Sequence, residues 1–116
     1  MKIAVPINGQ LVESHFGQCH TFAVFHSDNQ KTINATEVIR WEHGCGCKSN
    51  LVATLKEMGV TVLLAGNMGQ GALNILLHHG IEVVRGSSGN AHDQVQQYLY
   101  GKLSDRDILC STHHAH

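Results

Sequence analysis

The chain has 116 residues, of which 42% are apolar and 15% are charged, and its formal net charge at pH 7 is −1. These values are typical of one soluble globular domain with its own core, and they exclude a disordered or coiled-coil chain. Because the charges balance and form no run of one sign, the sequence predicts no nucleic-acid partner.

Hydrophobicity and cysteine content indicate where the protein works. No apolar stretch reaches the roughly 18 residues of a membrane span, and the first one ends at Asn8-Gly9, too early for a signal peptide. We therefore expect a cytoplasmic protein with no membrane partner. In that compartment the four cysteines stay reduced, which favours metal binding or redox chemistry over structural disulfides.

The N-terminal part of the chain predicts a meander of three strands. Alternation indicates a first strand over Lys2–Ile7 and a third over Thr32–Arg40, and a second strand is predicted over Thr21–His26, closed by the polar turn that begins at Ser27. In the third strand we expect Ile33, Ala35 and Ile39 to share a face. The short polar turn before this strand predicts a hairpin with the second.

After Arg40 the apolar spacing changes to a helical period. It predicts three helices, around Leu51–Met58, Ala72–His79 and His92–Tyr100, separated by buried strands at Val60–Ala65 and Ile81–Val84. The order β-β-β-α-β-α-β-α predicts an α/β fold with a mixed five-stranded sheet and three helices on its faces. We expect one domain over residues 1–103 and a poorly ordered Cys/His-containing tail over residues 104–116.

A glycine-rich turn, GNMGQG, follows the fourth predicted strand and spans Gly66 to Gly71. Its backbone N–H groups can face an anion at a helix N-terminus, but its spacing is neither the dinucleotide fingerprint nor a Walker loop. A nucleotide ligand is therefore disfavoured, whereas another anionic cargo stays open. Met68 in this turn is either a thioether ligand or, as is usual for a lone methionine, a packing residue.

The segment SHFGQCH, Ser14 to His20, precedes the second strand. Adjacent residues of an extended chain point to opposite faces, so one of Cys19 and His20 is expected to face the sheet. His15 lies in a glycine-containing loop at the sheet edge, where mixed α/β folds usually bind ligands. The alternative interpretation is an ordinary solvent-exposed histidine.

The segment HGCGC, His43 to Cys47, places Cys45 and Cys47 one residue apart, just before the first helix. Gly44 and Gly46 allow both sulfurs to turn to one side, and the helix dipole favours thiolates, which suit zinc, copper(I) or the iron of a cluster. A structural zinc site needs four ligands, so this pair predicts metal binding without naming the metal. The alternatives are a redox dithiol or two incidental thiols.

Conventional catalysis has little support in the sequence. It contains no nucleophile elbow, no zinc-protease motif and no close pair of carboxylates in the body of the fold, so we predict a protein that is not an enzyme. The segment CSTHHAH, which begins at Cys110, repeats the Cys/His bias, but no specific site is predicted there.

Several segments in chain order carry a family resemblance: MKIAVP, SHFGQC before a strand, a Cys/His-rich turn, VTVLLAGNMGQGALNILLHHGIEVV, and a helix that reaches GKL. Together they resemble the dinitrogenase iron-molybdenum cofactor biosynthesis family, which includes the NifX and NafY carriers and the C-terminal region of NifB. The resemblance covers Met1 to about Leu103.

The resemblance implies a ribonuclease-H-like α/β fold without nuclease activity, and the binding or carrying of an iron-sulfur or iron-molybdenum-type cluster. The S-H-F-G motif of the family carries over onto the residues from Ser14 to Gly17, with His15 as the expected cluster ligand. The A-G-x-x-G turn carries over onto Ala65, Gly66 and Gly69. Many members have one cysteine after the third strand, whereas this chain has two, which suggests stronger or different metal binding.

The leading hypothesis is therefore a non-enzymatic carrier that receives a metal-sulfur cluster and passes it to cluster-assembly or acceptor proteins. Its expected ligands are His15, Cys45 and Cys47, with contributions from Cys19, His43 or Met68. We expect the loops that contain them to share one sheet edge, because antiparallel neighbours reverse direction. The alternatives are a dithiol oxidoreductase, weakened by the strain of a C-x-C disulfide, and a regulatory module that binds one zinc or copper ion.

Overall fold

The computed structural model of the protein describes residues 1–14, 21–40 and 48–103. It contains a mixed sheet with helices packed on its faces. The strands are β1 (Lys2–Asn8), β2 (Leu11–Val12), β3 (Thr21–Ser27), β4 (Ile33–Arg40), β5 (Val60–Leu64) and β6 (Glu82–Val84). The helices are α1 (Lys48–Glu57), α2 (Gln70–His78) and α3 (Ala91–Leu99). The predicted tail, residues 104–116, lies outside the described residues.

The sheet has the strand order β4-β3-β1-β5-β6, and β2 pairs with β1 outside this path. Strand β1 is antiparallel to β3 and parallel to β5, and β6 continues the parallel part. The mixed α/β architecture with three helices is therefore confirmed within the described residues. None of those helices combines the length and the apolar character that a membrane span requires.

The two-residue strand β2 was not predicted from the sequence. It folds back on β1 through Gly9 and Gln10, with Asn8 opposite Leu11. Gly9 has a φ of 66°, the left-handed conformation that a tight hairpin favours at its first central position. Two residues are too few to produce a detectable alternation, which is why the pattern of the sequence did not reveal this strand.

The prediction that the apolar residues of the third predicted strand share a face was wrong. His26 lies opposite Ala35 whereas Ser27 lies opposite Ile33, so Asn34 is an extra residue in β4. Such a bulge reverses the alternation of side chains. As a result Ile39 packs against one core cluster and Ile33 against the other, on opposite faces of the sheet.

The two faces of the sheet each carry a hydrophobic core. One face packs against α1 and α2, where Leu51, Leu55 and Leu76 are almost fully buried. The other face packs against α3 through Ala91 and Val95. Strand β5 contributes to both clusters, which explains its nearly continuous apolar sequence, as expected for a parallel strand covered on both sides.

The hydroxyl of Tyr98 donates a hydrogen bond to Glu82 Oε2 at 2.9 Å and so ties α3 to β6. Burial, followed by this hydrogen bond and the glutamate charge, raises the pKa of Tyr98 to about 12. Because the pKa is raised, the stabilisation is fully present below the ordinary value near 10 and is lost as the pH rises towards about 12.

We therefore expect the free energy of unfolding of the Tyr98→Phe variant to fall less between pH 10 and about 12 than that of the parent protein. Urea unfolding followed by circular dichroism at several pH values measures this difference. Tyr100→Phe, which changes an exposed tyrosine nearby, is the matched control and should follow the parent. Identical pH profiles for the parent and Tyr98→Phe would contradict the prediction.

Candidate functional site

The carboxyl ends of the three parallel strands β1, β5 and β6 meet at one edge of the sheet, here called the carboxyl edge. Strand β3 begins at this edge, because Phe22 lies opposite Pro6 near the end of β1. Strand β4 ends there, because Thr21 and Arg40 are direct partners across the β3–β4 pair. Ligands of open α/β sheets usually bind beyond this kind of edge.

The two Cys/His segments are both attached to the carboxyl edge. The described chain stops at Ser14 and resumes at Thr21, and it stops again at Arg40 before α1 begins at Lys48. Helix α1 leads through a short turn into Val60 at the opposite edge, so it begins on the carboxyl side. All four flanking positions therefore lie on the same side of the sheet.

The GNMGQG turn packs directly against the chain that precedes the first Cys/His segment. The backbone N–H of Asn67 donates to the carbonyl oxygen of Ser14 at 2.8 Å. A Cβ atom on Gly66 would lie 2.9 Å from that same oxygen and 3.0 Å from the carbonyl oxygen of Glu13. Glycine at position 66 is therefore required by the close approach of two backbone segments, which is a stronger constraint than turn formation alone.

The loop after β6 joins the same group of backbone segments. The N–H of Gly86 donates to the carbonyl of Gly66 at 3.0 Å, and the N–H of Ser87 donates to the carbonyl of Ala65 at 2.9 Å. Farther along this loop, the carbonyl of Gly89 accepts a 2.8 Å hydrogen bond from the N–H of Val12. The three loops at the carboxyl edge are thus held together by main-chain hydrogen bonds.

These loops line a small, half-open pocket of about 210 Å³. Its lining residues are Val12, Ser14, Gly66, Asn67, Gly86, Ser87 and Ser88. The side chain of Ser87 is the notable polar group, because the residue is only 3% exposed and its hydroxyl has no hydrogen-bond partner among the described residues. A buried hydroxyl without a partner costs about 1–3 kcal/mol, so Ser87 is an unused donor in the wall of this pocket.

The residues predicted to bind a cluster fall into two groups. His15, Cys19, His43, Cys45 and Cys47 lie outside the described residues. Gly66 lines the pocket. Gly69 lies just before α2, where an added Cβ atom would meet no neighbour within 4 Å. Met68 is 7% exposed within the core cluster beneath α1 and α2, which favours the packing interpretation, and its part in binding stays a prediction.

A metal site formed by the described residues alone was not found. Within residues 1–14, 21–40 and 48–103, no three His, Cys, Asp or Glu side chains converge on a point that would hold a metal ion. In the described part of the chain, the pocket at the carboxyl edge therefore offers backbone groups, serine hydroxyls and the amide of Asn67. The soft ligands predicted from the sequence belong to the two Cys/His segments, which lie outside the described residues.

The loop RGSSGN, from Arg85 to Asn90, was missed by the sequence analysis. Arg85 is a buried cation, 6% exposed, directly after β6, and Ser87 follows two positions later. At the other end of the loop, the side chain of Asn90 caps α3 by accepting a hydrogen bond from the N–H of Asp93. A glycine- and serine-rich loop at the carboxyl end of a parallel strand was the available signal.

Comparison with known proteins decides the family. A sequence model for the family described as "Dinitrogenase iron-molybdenum cofactor" matches residues 1–101. The chain belongs to this family. The match confirms the resemblance found in the sequence, and a cofactor-binding or carrier role is consistent with it.

Individual relatives match almost the whole length of the chain. The uncharacterized protein MJ0580 of Methanocaldococcus jannaschii is 29% identical over 107 residues, which cover 89% of each chain. The apo form of the orange protein of Desulfovibrio gigas is 28% identical, with a TM-score of 0.72, and the match covers 91% of this chain and 92% of that one. The crystal structure of PH0822 has a TM-score of 0.81 at 23% identity, with 93% and 96% coverage, and shows the shared fold.

Replacement of Gly66 tests whether the pocket depends on close backbone contact. We expect Gly66→Ala to lower the free energy of unfolding by about 1–3 kcal/mol, because its Cβ atom forces the segment at Ser14 away from the turn. Gly71→Ala is the matched control, because its Cβ atom meets no neighbour within 4 Å and alanine favours the helix α2 in which it lies. Urea denaturation measures both, and an equal effect of the two substitutions would contradict the expectation.

Proposed function

We propose that the protein is a non-catalytic carrier that binds an iron-sulfur or iron-molybdenum-type cluster at the carboxyl edge and passes it to an assembly or acceptor protein. The family supports a role connected with this class of cofactor. The proposal includes a ribonuclease-H-like arrangement of the domain, which the mixed sheet with helices on both faces supports. It also includes a cytoplasmic location, where cysteines stay reduced.

The pairing of Thr21 with Arg40 is the observation that carries the proposal. Thr21 is the first described residue after the segment that contains His15 and Cys19, and Arg40 is the last one before the segment that contains Cys45. Antiparallel partners have Cα atoms about 4.5–5.5 Å apart, so the two segments extend from neighbouring points. Each intervening residue spans at most about 3.6 Å, which allows imidazole and thiolate groups to meet at this edge.

The expected chemistry suits a carrier better than an enzyme. Thiolates of Cys45 and Cys47 and the imidazole of His15 are the electron-rich ligands that a metal-sulfur cluster needs. Three ligands leave cluster positions open to a second protein, and this openness permits transfer. The pocket beside Ser14 lies at the start of the first Cys/His segment, so the cargo is expected to rest against the loops that contain Gly66 and Ser87.

The double substitution Cys45→Ser and Cys47→Ser tests the thiolate ligands. A neutral hydroxyl is a much poorer ligand for soft metals, so we expect the variant to lose cluster binding. The protein is reconstituted with iron and sulfide under anaerobic conditions, and the absorption of sulfur-to-iron charge transfer and the metal content are measured. Cys110→Ser is the matched control and should bind like the parent.

Two outcomes would redirect the proposal. If the double variant holds the same cluster as the parent, the HGCGC turn does not bind it and the paired thiols become candidates for redox chemistry. If the parent protein binds only zinc or copper(I) and remains colourless, the cargo is a single metal ion instead of a cluster.

The His15→Ala substitution and a pH series test the imidazole ligand. We expect the variant to keep its fold but release the cluster faster, because a loop ligand contributes little to the core. In the parent, retention should fall as the pH is lowered towards about 5, because protons compete with the metal for imidazole and thiolate. Charge-transfer absorption after gel filtration measures retention. His78→Ala, at the far end of α2, is the control, and an equal loss in both variants would contradict the assignment.

A further inference from the structure

The pocket at the carboxyl edge contains one side chain whose environment is not explained by folding alone. The hydroxyl of Ser87 is buried and has no hydrogen-bond partner among the described residues, although the backbone N–H of the same residue is bonded to Ala65. Proteins rarely leave a buried donor unpaired, and such a group usually has a water molecule or a ligand as its partner. Ser88, the next residue, lines the same pocket but is exposed, so water satisfies its hydroxyl.

We propose that this pocket binds a compact anionic group with oxo or sulfido acceptor atoms, to which the Ser87 hydroxyl donates a hydrogen bond. For the identity of the cargo, the inference rests on the proposed function. It adds that the protein recognises the anionic atoms of the cluster as well as its metal atoms. The pocket itself is defined by described residues alone and can be tested without the cluster.

The small volume and the fixed walls of the pocket suit a compact ligand that carries hydrogen-bond acceptors. Its volume of about 210 Å³ is too small for most drug-sized ligands and leaves room for a small anion or one corner of a cluster. The hydrogen bonds from Asn67 to Ser14 and from Gly86 to Gly66 fix its walls. A donor held in place by a rigid wall loses little entropy when the guest binds, which increases affinity.

The chemistry of the lining suits a hydrogen-bond acceptor better than a bare metal ion. In the described part of the chain, the lining residues are uncharged, and none of them supplies a carboxylate, a thiolate or an imidazole to a metal ion. A serine hydroxyl that donates to an anionic acceptor forms a charge-assisted hydrogen bond, which is stronger than one between neutral groups. The pocket would therefore bind the oxo or sulfido atoms of a metal-sulfur cluster, whereas the soft ligands of the Cys/His segments would bind its metal atoms.

Molybdate alone is the probe for this inference, because it is a compact anion with oxo acceptors and needs no cysteine ligand. Thermal unfolding of the full chain is measured at constant ionic strength with increasing molybdate, since a ligand that binds the folded state raises Tm with its concentration. We expect molybdate to raise the Tm of the parent and to shift the amide NMR signals of Gly66, Asn67 and Ser88. Ser87→Ala should weaken this binding at least about tenfold.

The matched control is Ser27→Ala, which makes the same change at a buried serine at the opposite edge of the sheet and should bind molybdate like the parent. Without molybdate, Ser87→Ala should have an unchanged or higher Tm, because it removes a buried hydroxyl that lacks a partner. A lower Tm would overturn the proposal, since it would show that the hydroxyl serves the fold. Equal binding by Ser87→Ala and the parent would also overturn it.

The remaining outcomes separate this inference from the proposed function. No response of the parent to molybdate, or a response to phosphate without one to molybdate, would overturn the anion pocket while the cysteine experiment still decides cluster binding. Conversely, the Cys45→Ser and Cys47→Ser variant should keep the molybdate response of the parent. If that response disappears together with the thiolates, the anion binds at the Cys/His segments, and the assignment to Ser87 is wrong.

Discussion

Strand β1 determines the organisation of the protein, because it pairs in the antiparallel sense with β3 and in the parallel sense with β5. The parallel pairing places the carboxyl ends of β1 and β5 side by side, and β6 adds a third. The antiparallel pairing brings the start of β3 and the end of β4 to the same edge. Two kinds of strand pairing around one central strand thus collect five loop attachments on one side of the sheet.

Main-chain hydrogen bonds convert this collection of loops into a defined surface. Because Gly66 has no Cβ atom, the chain at Glu13 and Ser14 approaches the GNMGQG turn closely enough to accept a hydrogen bond. The loop after β6 is then bonded to the residues at the end of β5. Backbone contacts of this kind do not require particular side chains, so the described loops are held together without the serine hydroxyls of the pocket.

The distribution of chemical groups suits the proposed carrier, which has to hold its cargo and release it. Among the described residues, the two cores contain the large fully buried side chains, and residues such as Leu76 and Val95 have no exposed surface there. The two Cys/His segments join the sheet at its carboxyl edge, between residues 14 and 21 and between residues 40 and 48. In the proposed carrier, binding energy is thereby separated from folding energy, so that the cargo can leave without loss of the core.

The sequence by itself determined the helices, the long strands and the family, because helical and alternating periods are local and the motifs of the family lie in order along the chain. It did not reveal β2, whose two residues are too short for a period, or the extra residue Asn34, which moves Ile33 and Ile39 to opposite faces. It also did not single out Ser87, because only contacts between distant segments show that its hydroxyl is buried beside Gly66 without a partner. Periodicity is read from neighbours in sequence, whereas bulges, close approaches and unpaired donors arise when distant segments pack together.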